Sequence, residues 1–148
     1  MWKPEYSVGV GPIDDQHQRL FQLFGLLMDS VHNGETESTL DRIFVQLRGY
    51  VTSHFRFEER LMRKAGYAEL EEHEGLHDKI RENLCEFRSR FNKARDDESR
   101  NAVVDAVVIF LNQWLVGHIL VEDKKYMPYL NTPEVQKIAA TYYHDEKG

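Results

Sequence analysis

The apolar residues of this chain recur at steps of three and four along almost its whole length. Leu20, Phe21, Phe24, Leu27, Met28 and Val31 form a first helical stripe, and Asn33-Gly34 supplies a stop after it. The preceding PIDD offers Asp14 or Asp15 as an N-cap. A second stripe runs Leu40, Ile43, Phe44, Leu47, Val51, Phe55, Leu61 and Met62, closing near Gly66. A third takes Leu76, Ile80, Leu84, Phe87 and Phe91 before the polar run KARDDESRN. The fourth uses Val104, Val107, Val108, Leu111, Trp114 and Leu115, and is expected to end before Pro128. TPEVQKIAATYYH predicts a short terminal helix with Thr132 as cap and Pro133 at its first position.

Four helices of about 20 residues with short connections predict an all-α fold, an antiparallel up-down-up-down four-helix bundle. No strand alternation, repeat or second apolar unit interrupts the pattern, so residues 1–148 read as one domain. The expected division is an N-terminal arm over 1–12, a bundle over about 13–128 and a tail helix over about 131–146.

Composition narrows the setting. A chain of 148 residues can bury about 68–70% of its unfolded surface, and 41% hydrophobic with 30% charged residues suits a globular protein. No apolar run approaches the roughly 20 residues of a membrane span, and MWKPEYSVGV lacks a signal-peptide core, so no membrane association is expected. Cys85 is the sole cysteine, which rules out an intrachain disulfide and predicts a cytoplasmic setting. A net charge of −6 without a basic cluster argues against nucleic acid. The acidic surface and lack of an obvious exposed apolar face predict a monomer.

Five of the seven histidines fall where a core residue belongs. His17 precedes Leu20 and Phe21 by three and four; His54 lies between Val51 and Phe55, with Glu58 one turn on. His73 and His77 continue into Ile80 and Leu84, and His118 follows Trp114 and Leu115. Any one of these could be an ordinary core histidine. Five imidazoles and a carboxylate buried together would cost several kcal/mol, at roughly 1–3 per unpaired group, unless a metal used their lone pairs. His32, at a helix end, and His144, in the polar tail, are read as surface residues.

HEGLH, residues 73–77, also matches the H-E-x-x-H helix motif of zinc proteases, with Glu74 as the base. An extended zinc-protease motif needs Gly and His where Ile80 and Asn83 stand, and Glu98, a more distant candidate ligand, lies in a polar connector. One tetrahedral zinc would also leave ligands unused. Imidazole and carboxylate without thiolate suit iron, manganese or zinc, and two six-coordinate irons would use the whole set. A bridged pair needs a second carboxylate near His118. Glu122, at i+4, shares its face on a regular helix, whereas Asp123, at i+5, is turned about 140° away unless the helix is locally widened. A di-iron enzyme of ferritin type would require paired E-x-x-H motifs, and only Glu74–His77 is present.

Taken together, His17, HFRFE, HEGLH and HILVED resemble the hemerythrin family, in particular its single-domain bacterial members. YSVGVGPIDDQHQRLF, HFRFEERLM and WLVGHILVEDKKYMPYL extend the resemblance over nearly the whole chain. The resemblance implies a metal site of His17, His54, Glu58, His73, His77, His118 and Asp123, choosing Asp123 over Glu122. It implies two iron ions per chain, bridged by both carboxylates and an oxo or hydroxo group. His73, His77 and His118 would fill one iron, and His17 and His54 would leave the other an open position. Dioxygen would bind there and be held as hydroperoxide, with Phe55, Trp114, Leu115 and Ile119 lining its pocket. The implied role is an oxygen carrier rather than an enzyme, serving storage or delivery to an oxygen-consuming partner. Sensing or redox catalysis on the same site is the alternative.

Overall fold

The computed structural model describes residues 2–34 and 37–147, without the side chains of 31, 32, 37, 115, 116 and 143–147. The first three long helices are α1 (Gly11–His32), α2 (Glu37–Ala65) and α3 (Leu70–Lys93). The fourth, α4 (Asp97–Gly117), runs without a break into a π-helical segment, His118–Asp123, and then α5 (Lys124–Leu130). A terminal helix, α6 (Pro133–Lys147), follows. Each long helix packs against the next, and α1 closes the ring against α4. The sequence therefore folds as the expected four-helix bundle.

Several local expectations are corrected. Asp14, like Asp15, is not an N-cap, because α1 already begins at Gly11. The Asp14 carboxylate instead accepts hydrogen bonds from the Ser7 hydroxyl and the Val8 amide (2.9 Å), tying the arm to the first turn. The fourth helix does not stop before Pro128, which lies inside α5 and removes only one backbone donor near the helix end. The chain leaves at Asn131, whose amide bonds to Met127. Residues 97–130 also make a helical run apolar enough, by length and composition, to cross a membrane, contrary to the sequence expectation. Here Val103, Val104, Val107, Leu111 and Trp114 of that run are buried in the bundle core. Met28 and Leu76, placed on inward stripes, are exposed. Thr132 caps α6 as expected, its hydroxyl accepting from the Val135 amide at 3.2 Å.

Two apolar clusters form the interior. The larger packs Leu20, Leu27, Leu47, Phe55, Leu84 and Leu111 along the bundle. The smaller joins Val8, Val10 and Ile13 of the arm and α1 to Phe57, Leu61, Tyr126 and Val135. Gly9 turns the arm with φ near +78°, and a Cβ there would meet the Asn131 side chain at 2.9 Å. On α1, α2 and α3, and on the π-helical segment that continues α4, the inward histidines and carboxylates lie between residues of these two clusters. Apolar packing on both sides thus encloses one polar layer.

Candidate metal centre

The polar layer is built by helical spacing. On α2, His54 and Glu58 are four residues apart and their side chains meet, His54 Nε2 against Glu58 Oε1. On α3, His73 and His77 are likewise one turn apart, with ring centroids 4.5 Å from each other. His17 enters from α1, its ring 4.6 Å from that of His54. All of these are buried.

The fourth helix contributes through its irregular segment. An i→i+5 turn carries more residues than an α-turn, so residue 123 returns to the face of residue 118. His118 Nε2 stands 2.9 Å from Asp123 Oδ1, and Asp123 is fully buried. Glu122, which regular helix spacing would have chosen, points outward and takes the ammonium of Lys125 at 3.1 Å. The π-helical turn, not side-chain type, decides between the two carboxylates.

These residues form two groups of four donors, each group compact enough to hold an ion. One comprises His73, His77, His118 and Asp123; the other comprises His17, His54, Glu58 and Asp123. Asp123 belongs to both. Its Oδ1 faces His73 (3.1 Å) and His118, while its Oδ2 faces His17 (3.1 Å). Glu58 reaches across the second group, with Oε1 3.6 Å from His17 Nε2.

The donor atoms are poorly served by the protein itself. Both nitrogens of His17, Nε2 of His73 and all four carboxylate oxygens of Glu58 and Asp123 are buried without a hydrogen-bond partner among the described residues. Close approach without donor–acceptor alignment is what lone pairs aimed at a common centre produce. Leaving so many buried polar atoms unsatisfied is otherwise costly, at roughly 1–3 kcal/mol each. The chemistry of the set fits iron: both donor groups offer imidazole and carboxylate, and Cys85 stands apart from them on the surface.

Electrostatics are consistent with a charge-dense centre. Burial lowers the basicity of His54 and His77, keeping them neutral and able to donate lone pairs. Burial also opposes charging of His17, but Asp123 and Glu58 outweigh it and push its pKa up to about 9. Burial would raise Glu58 and Asp123, and the charge of Asp123 would raise Glu58 further, yet the surrounding imidazoles hold both carboxyls below their usual range.

Two neighbours escape a reading based on ligand spacing. His54 Nδ1 donates to the Gln16 amide oxygen at 2.7 Å, and His77 Nδ1 donates to the Glu59 carboxylate at 2.6 Å. Each bond leaves Nε2 free to face the centre. Asking where the second nitrogen of every imidazole goes would have pointed to them, since both adjoin ligands in sequence.

Of the residues expected to line a pocket, Phe55, Trp114 and Ile119 are buried beside the ligands. Phe55 stacks on His77 with centroids 3.7 Å apart, and Trp114 meets Phe55 edge-on at 5.6 Å. The Leu115 side chain lies outside the described residues, as do those of His32 and His144. Glu74 of HEGLH turns away from the centre and pairs with Arg63 at 2.7 Å, so it is not placed to act as a base there.

Known proteins resemble this chain in sequence and fold. The hemerythrin HHE cation binding domain matches residues 8–130. A bacteriohemerythrin of Pseudomonas paraeruginosa is 32% identical over 127 residues, covering 86% of this chain and 78% of that protein. One from Methylococcus capsulatus is also 32% identical, covering 86% and 92%. The crystal structure of a wild-type hemerythrin superposes with a TM-score of 0.76 at 31% identity, covering 89% of this chain and 98% of the other. Donor groups, bundle and sequence similarity converge: this chain belongs to the hemerythrin family.

Proposed function

We propose that the protein binds dioxygen reversibly at a non-heme di-iron centre. The observation that carries this reading is the sharing of Asp123 between two donor groups, one oxygen facing each. His73, His77 and His118 would hold one ion, His17 and His54 the other, and Glu58 and Asp123 would bridge them. When bound, the pair of irons supplies the electrons and the vacant coordination position that dioxygen requires.

The chain's own residues supply the rest. Gln16 and Glu59 orient His54 and His77 so that their Nε2 atoms face the centre. Phe55, Trp114 and Ile119 form a buried apolar wall that keeps water and protons from the ligands, which favours release of intact oxygen over irreversible oxidation. Tyr126 sits fully buried on the other side, where burial and the charges of Glu58 and Asp123 push its phenol far up and keep it protonated. These features support an oxygen carrier, and the role proposed for it is storage, or delivery to an oxygen-consuming enzyme.

The test is anaerobic reconstitution with ferrous iron, followed by visible absorbance while oxygen is admitted and removed. A band that appears with oxygen and vanishes without it supports the carrier. Iron that oxidises once and never cycles would move the site to redox enzymology or sensing.

A further inference from the structure

The two donor groups are equal in number of ligands but differ in what stands behind them. His54 is backed by Gln16, a neutral amide. His17 Nδ1 has no hydrogen-bond partner among the described residues. His77 is backed by the Glu59 carboxylate, which Arg81 holds through Nη2 at 3.1 Å. The same guanidinium is fixed to Asp78 at 2.6 Å and lies over Phe55, 5.2 Å from the ring centroid. Phe55 in turn lies flat on His77, with the two planes 4° apart. Glu59, Arg81, Phe55 and His77 thus close a ring of contacts that leaves His77 one orientation.

A carboxylate accepting from Nδ1–H draws the proton toward itself and makes Nε2 a stronger donor, which an amide oxygen does far less. Late first-row ions also prefer imidazole to carboxylate, and this group offers three imidazoles against two. We propose that Glu59 is a positioning residue that makes the His73/His77/His118 position the tighter of the two. Ions load there first, and the His17/His54 position fills second and exchanges more readily. The proposal rests on the two-ion reading above.

The experiment is a cobalt(II) titration of the metal-free full-length chain against a chromophoric chelator. The wild type is expected to take two ions per chain, the first at least about tenfold tighter, and His73→Ala to remove that tight step while the weaker one persists. Glu59→Gln is expected to weaken the tight step about 10–100-fold, with the weak step changed by less than about threefold. The ligand-field bands of the first cobalt should shift in Glu59→Gln and largely return in Glu59→Asp. Gln16→Glu supplies an independent arm: a carboxylate behind His54 should narrow the gap between steps, and an unchanged gap counts against the proposal even where Glu59→Gln fails to fold. Two equal sites in the wild type, or a Glu59→Gln that weakens both steps alike or neither, would overturn it while leaving the two-ion reading intact. A stoichiometry of one ion per chain would overturn both.

Discussion

His118 and Asp123 are five residues apart and stand 2.9 Å from each other across one turn of helix. A regular α-helix would set their side chains about 140° apart. The π-helical turn between them is therefore part of the site's construction, and it turns Glu122 outward at the same time.

The two neighbouring acids should accordingly behave in opposite ways. Asp123→Ala is expected to lose both ions, because each donor group uses that carboxylate. Glu122→Ala is expected to keep both, losing only an exposed pairing with Lys125. Metal content after dialysis distinguishes the outcomes, and a Glu122→Ala chain stripped of metal would contradict the geometry.

His54→Ala should weaken the His17/His54 position and abolish the oxygen-dependent band, while helicity by circular dichroism stays near that of the parent. Its apolar neighbours Val51 and Phe55 remain to hold α2 in place. A full oxygen response in this variant would remove His54 from the site.

Phe55 is fully buried and touches both the main core and His77. Phe55→Ala should cost about 3–5 kcal/mol in urea unfolding of the metal-free chain. It should also speed loss of the oxygen response in the reconstituted chain by admitting water. A stability change under about 1 kcal/mol would mean that the pocket collapses without strain.

Protons should compete with metal. In the metal-free chain His17, at about 9, carries a proton at neutral pH that a bound ion must displace, and Asp123 shifts His118 in the same direction against the effect of burial. A pKa raised on folding stabilises the metal-free fold fully below the ordinary value of 6.5 and loses that contribution as pH climbs through about 9. Metal affinity should therefore rise with pH, and proton release on binding should shrink as pH passes about 9. Calorimetry in buffers of different ionisation enthalpy measures that release, and a pH-independent affinity would contradict it.

Much of this centre was legible in the sequence because α-helical spacing is regular. His17, His54, Glu58, His73 and His77 fall on apolar stripes whose period is that of the helix, so their convergence follows from the bundle. Asp123 was not legible from spacing, since a π-helical turn leaves no periodic mark; resemblance alone singled it out. Asp14 was misread because the helix begins earlier than its polar residues suggest, leaving the carboxylate to anchor the arm. Gln16 and Glu59 were missed because a stripe shows which side chains point inward, not which nitrogen each imidazole leaves over.

In the proposed site one shared carboxylate unites two ions into a single reversible oxygen-binding centre. Oxygen uptake by the anaerobically reconstituted ferrous chain, measured against its iron content, tests it most directly. One dioxygen bound per two irons and per chain, recovered under vacuum, is the predicted result. Uptake that exceeds this ratio, or that is not returned, would contradict it.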